Sequence, residues 1–175
     1  MMKNAFYRVI NMQNRPVDMC SFFHTVLFAY QKSVKDILGT GEASLIHPIL
    51  DNINMVIHKE NPSLIDEESP DKILENFLEN LLKNGAVKWV DIDEIEDGKY
   101  LFRVEGCRFS KNIHEFLNTK DTTCPFALAA MAFIQLSTGK KVLPTESEYT
   151  KTGTKTVIEF LPQQQPKKKI ALAHV

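Results

Sequence analysis

Cys107, His114 and Cys124 bring two thiols and an imidazole into one short stretch, spaced Cys-x6-His-x9-Cys, with Pro125 directly after the last cysteine. Sulfur and nitrogen donors held tetrahedrally are what zinc prefers. The triplet therefore reads as a zinc site that lacks a fourth ligand. His58 is the first protein candidate for that position and Glu105 the second, with water or a bound ligand as equal alternatives. His24 and His47 read as packing or surface histidines, and His174 as part of the tail. The paired CxxC knuckles of a zinc ribbon are absent, so two other readings stay open. Cys107 and Cys124 can be small buried apolar residues with His114 exposed on a helix, or a redox pair that closes a disulfide.

Other chemistry is sparse. The chain has no GxGxxG, no P-loop and no G-x-S-x-G. No pair of titratable groups is spaced convincingly for general acid–base work. Glu94, Glu96 and Asp97 make an acid-rich turn without EF-hand spacing, and Lys167 to Lys169 read as a solvated basic run. The aromatic and methionine side chains either fill a core or line an apolar cavity. From them, Phe22, Phe126, Met131 and Phe133 are the candidate ligand-binding residues.

Composition bounds the class. With 175 residues, 43% hydrophobic and 25% charged, the chain supports one substantial core. A formal net charge of -1 gives no global attraction to nucleic acid or to an anionic membrane. The stretch Met1 to Asn14 does not read as a secretion signal, and the longest apolar run, Phe126 to Ile134, is far short of the roughly 20 residues of a bilayer span. The expectation is a cytoplasmic protein with no nucleic-acid partner and no membrane insertion, in which three cysteines make no disulfide framework.

The elements that must position the triplet follow from periodicity. Phe22, Phe23, Val26, Leu27, Tyr30, Val34, Ile37 and Leu38 share one face of a helix ending near Gly39, with His24 off that stripe. A second helix carries Leu45 to Ile57, its start made uncertain by Pro48. A third begins at Ser69-Pro70 and stops at Gly85. Ala86 to Ile92 and Lys99 to Glu105 form a hairpin through Glu96-Asp97-Gly98, after which Ser110 caps a short helical turn holding His114 and Phe116. A long helix runs from Cys124-Pro125 to Gly139, so Cys124 sits where the helix dipole favours a thiolate. Lys141 to Tyr149 and Thr154 to Leu161 make a second hairpin. The fold class is α+β: N-terminal helices packed on an antiparallel sheet, with a long helix between two hairpins. Residues 1–162 make a single domain and residues 163–175 a flexible tail.

Gly106-Cys107-Arg108-Phe109 after a strand, Cys124-Pro125-Phe126-Ala127-Leu128 opening an Ala-rich helix, Gly139-Lys140-Lys141-Val142, and Glu146-Ser147-Glu148-Tyr149 leading to Gly153 carry a resemblance. Over Tyr100 to Phe160 the chain resembles the 4-vinyl reductase domain family, also described as hydrocarbon-binding proteins. That family is similar in fold to Golgi transport-particle subunits and nitric-oxide-signalling modules, and its members are often dimeric. The resemblance implies binding of a small hydrophobic molecule, with Cys107 and Cys124 matching cysteines that hold a metal near the pocket. Tyr149 and Thr156 stand where many relatives carry two more cysteines, so His114 with His58 or water must complete any zinc site here. The name does not establish a reductase. The expected protein is a homodimeric sensor or carrier of a small apolar molecule with a zinc cofactor. The alternatives are a zinc- or thiol-dependent enzyme acting on an apolar substrate, and a protein-interaction subunit.

Overall fold

Local rules set the helix ends. Ser69 caps the third helix by accepting a hydrogen bond from the Lys72 N–H at 3.3 Å, and Pro70 fills the first helical position, where no backbone donor is needed. At the other end Gly85 turns left-handed, and the N–H groups of Gly85 and Ala86 donate to the carbonyls of Leu82 and Leu81. That double bond is a Schellman stop. The long helix starts at Pro125 after Cys124, whose side chain makes no capping hydrogen bond, and ends at left-handed Gly139, whose N–H donates to the Gln135 carbonyl at 2.9 Å.

In this computed structural model, residues 19–39, 43–60, 62, 69–110, 113–114, 117 and 122–161 are described. They form α1 (Met19–Leu38), α2 (Ala43–Glu60), α3 (Pro70–Lys83), β1 (Trp89–Glu96), β2 (Lys99–Glu105), α4 (Pro125–Thr138), β3 (Val142–Tyr149) and β4 (Thr154–Phe160). The expected α+β order is present, with α4 between two hairpins. The second helix begins at Ala43 and continues through Pro48, so the proline sits inside α2 rather than at its start. Phe116, most of the polar loop before Thr122, the connection after α2 and the expected tail at 163–175 lie outside the described residues.

The four strands run β1-β2-β4-β3, every neighbour antiparallel. The second hairpin therefore docks on β2 through its last strand. Phe102, Val104 and Ile158 are buried on the face turned to the helices. α4 is apolar all round and forms the centre of the core, with α2, α3 and β3 against it. Ala127, Ala130 and Ala132 are fully buried, and their small side chains permit close approach.

The face of α1 reverses the expectation. Phe23 and Tyr30 are each 63% exposed and Ile37 is 80% exposed, with Phe22, Val26, Leu27 and Leu38 also on the outside. The buried residues are His24, Phe28 and Gln31, spaced to share the opposite face. Apolar periodicity identifies the stripe but not what covers it. α1 makes no extensive contact with another described helix or strand, and His24, Phe28 and Gln31 are its buried side chains among the described residues. Burial of Phe28 contributes about 1.5–3 kcal/mol. The nitrogens His24 Nε2 and Gln31 Nε2 are buried without a partner, at about 1–3 kcal/mol each. Together the two unpaired nitrogens cost about 2–6 kcal/mol, which matches or exceeds the gain from Phe28 and leaves α1 weakly held by these three side chains.

The turn after β3 passes very close to β2. A Cβ at Gly153 would lie 1.9 Å from the Val104 carbonyl oxygen, whereas one at Gly85 would meet nothing within 4 Å. Gly153→Ala is expected to destabilise the fold by about 3 kcal/mol or more, as backbone overlap does. Gly85→Ala should cost about 1 kcal/mol, from its left-handed backbone alone. Urea unfolding of both variants checks the difference.

Candidate metal centre

Three elements converge at the edge of the core. β2 ends at Glu105, left-handed Gly106 turns the chain, and Cys107 is held by a 2.8 Å hydrogen bond from its N–H to the Thr152 carbonyl. The Ser110 hydroxyl donates to the Cys107 carbonyl at 2.7 Å, and so tightens this turn rather than capping a helix. His114 follows on its short turn. Its Nδ1 lies 2.9 Å from the Thr150 carbonyl, which accepts the proton and leaves the Nε2 lone pair free. α1 delivers the third side chain, His24.

His24, Cys107 and His114 are all buried, and their ligand atoms lie within 4.8 Å of one another. They could hold a metal ion. Zinc distances of about 2.0–2.1 Å to nitrogen and about 2.3 Å to sulfur place tetrahedral donors roughly 3.3–3.8 Å apart, so a closure of about 1 Å suffices. The donor set fits, and His24 Nε2 is a buried nitrogen with no hydrogen-bond partner.

Aromatic rings wall the group. Phe28 packs edge-on to His24 at 4.7 Å and to His114 at 6.1 Å, while Phe109 and Phe126 tilt against His24 at 5.4 and 6.0 Å. Tyr149 stands edge-on to His114 at 5.1 Å, and its hydroxyl donates to the Thr122 carbonyl at 3.0 Å. Such a wall keeps all three donors uncharged. Burial, then the His114 imidazole, pushes His24 down to about 4. Burial also lowers His114, opposed by the carbonyls of Thr150 and Gly153. Cys107 is pushed up to about 11, by burial first and by nearby Cys124, against the backbone N–H groups of Phe109 and Ser110.

The site expected from sequence is thus only half assembled. Cys107 and His114 do meet. Cys124 is buried at the N-cap of α4, near enough to raise the Cys107 pKa, but it stands outside the three-donor group. Its own thiol is pushed up, because burial outweighs Thr154 and the N–H groups of Ala127 and Phe126. The thiolate expected there from the helix dipole is therefore disfavoured. His58 is exposed in the last turn of α2 and does not join the cluster, nor does Glu105. His24 takes the place that sequence reasoning offered to them. Both cysteines are free thiols.

Among the described residues the four candidate ligand residues stand in different surroundings. Phe22 is exposed against Phe23, Met131 is fully buried in α4, and Phe133 packs on Phe77 at 4.8 Å. Phe126 alone reaches the metal group. An apolar groove of about 230 Å³ lies instead between α1 and α2, with Leu27, Tyr30, Val34, Leu45, Ile49 and Leu128 among its walls.

Because His24 is neutral above about pH 4 and Cys107 is a thiol below about pH 11, metal binding near neutrality should release one proton per ion. Affinity should rise about tenfold per pH unit between pH 7 and 9. Calorimetry in buffers of different ionisation enthalpy counts the protons. Two would mean that a second acid ionises, either Cys124 or a zinc-bound water, and loss of the second proton in Cys124→Ser identifies the cysteine. No family model, curated protein or solved structure matches the chain.

Proposed function

We propose that this protein is a zinc-containing sensor or carrier of a small apolar molecule. The buried group of His24, Cys107 and His114 carries the reading. Two neutral imidazoles and a thiol enclosed by aromatic rings are costly to bury without a use, and sulfur with nitrogen is the zinc donor set. The resemblance of residues 100–160 to the 4-vinyl reductase domain family points the same way. The α1–α2 groove supplies the ligand site. At about 230 Å³ it is smaller than the roughly 300–1,000 Å³ typical of drug-sized ligands, so it suits a small ring or a short chain.

Elemental analysis should find one zinc per chain, lost in Cys107→Ser and in His114→Ala but kept in Cys124→Ser. Native mass spectrometry of protein from its own cells should also show a small apolar adduct, removed by Ile49→Trp with zinc retained. Absence of zinc from the parent protein overturns the metal assignment. Absence of any adduct overturns the ligand site.

The outer face of α1 supports a homodimer as a second reading. Phe22, Phe23 and Tyr30 are about half exposed or more, at 49%, 63% and 63%. Rings of about 150–250 Å² each at that exposure approach the roughly 300–600 Å² of the largest apolar patch on a typical monomer. Val26, Leu27, Ile37 and Leu38 extend the patch further. No Asp, Glu, Lys or Arg occurs from residue 19 to 31, so two copies of this face can meet without burying charge. The formal net charge of -1 adds little repulsion between copies. Phe23→Glu combined with Tyr30→Glu is expected to convert a dimer to a monomer in light scattering. A parent protein that is already monomeric at high concentration counts against it.

A further inference from the structure

α1 is docked the wrong way round for a helix held by the hydrophobic effect. Most of its apolar stripe faces out, with Leu27, Tyr30 and Val34 edging the groove beside α2, and its buried face offers an imidazole, a carboxamide and one phenyl ring. The carboxamide oxygen of Gln31 accepts the Thr123 N–H at 2.9 Å, but the amide nitrogen has no partner, and neither has His24 Nε2. α3, by comparison, buries Ile73, Phe77 and Leu81 along its inner face and packs closely on α4. Among the described residues, side-chain burial holds α1 more weakly than α3. The one group on its inner face able to form a strong bond is His24, and the other two donors belong to the body of the fold.

We infer that the metal at His24, Cys107 and His114 acts as a clasp that docks α1 on the body of the protein, and that loss of the metal releases the helix. The inference rests on the metal reading above and adds a consequence for the same ligand site. Leu27, Tyr30 and Val34 of α1 form one wall of the apolar groove, and α2 with Leu128 of α4 forms the other. The groove is therefore complete only while the clasp is closed. Ligand capacity follows metal occupancy without the metal touching the ligand. Cys107 and His114 are fixed independently of α1, through Thr152 and Thr150 of the β3–β4 turn, so they remain in place as a two-donor half-site when the helix leaves.

A helix of this length released from its support is marginal in water, so its amide protons exchange quickly. Hydrogen exchange of the full chain, with zinc and after chelation, reads this directly, while native mass spectrometry of the same samples counts bound zinc. Zinc is expected to slow exchange across residues 19–38 at least tenfold, with α3 little changed. His24→Ala, saturated with excess zinc on Cys107 and His114, should keep α1 in the fast-exchanging state. His24→Cys, which restores a donor at that position, should recover the protection and guards against a misfolded alanine variant. Zinc bound at one per chain with α1 exchange unchanged would overturn the clasp and leave the metal centre standing. No zinc bound under any condition would overturn both. Slowing spread equally over α1 and α3 would mean global stabilisation and would also refute a local clasp.

Discussion

The close passage of the β3–β4 turn over the end of β2 is the contact on which the site depends. Only a residue without a Cβ fits at Gly153, because the Val104 carbonyl oxygen occupies that space. With the turn seated, Thr152 holds the backbone of Cys107 and Thr150 fixes the ring of His114. A single steric allowance thus aligns one sulfur and one nitrogen donor. Two backbone carbonyls act as the outer support that orients metal ligands in many proteins. The Nδ1 bond to Thr150 also selects the tautomer, so the ring presents Nε2 without further help.

The core and the site are built on different physics. α2, α3 and α4 share a dense apolar interior with the sheet, in which Leu50, Met131 and Phe102 are fully buried. The metal group lies where that interior gives way to a mixed aromatic and polar region, lined by Phe28, Tyr149, Thr122 and Gln31. Low dielectric there keeps the donors neutral and makes an unpaired nitrogen expensive. The same setting would strengthen a bond to a cation, so the cost of burying these donors and their fitness for a metal have one origin.

Much of the fold was legible in the residues, because its signals are local. Ser69-Pro70, Cys124-Pro125, Gly85, Gly98 and Gly139 act within a turn or two of their own positions, and they mark the elements correctly. α1 shows the limit. Its stripe was readable as apolar, but whether a neighbour covers a stripe depends on contacts outside the helix, and the stripe faces out. His24 was missed for a related reason: a histidine becomes a candidate ligand through what approaches it. One clue was present. His24, Phe28 and Gln31 recur at i, i+4 and i+7 in a stretch without formal charge, which marks a second face able to be buried. His58 was favoured by its place at a helix end, which says nothing about where that end lies. Met131 and Phe133 belong to α4 at the centre of the core, a position that their apolar character alone did not reveal.

The strand order has a consequence for how such a site arises. β4 lies between β2 and β3, so the second hairpin reaches its place only by pairing with a strand formed some fifty residues earlier. Contacts this distant along the chain close late, after local helices and hairpins have formed. His24 stands more than eighty residues before Cys107, which makes its approach later still. A chain whose second hairpin had paired elsewhere would present Cys107 without Thr152 and His114 without Thr150. The alignment of these donors is thereby reserved for molecules whose sheet has paired in its final order, so the geometry of the group reports on the topology itself.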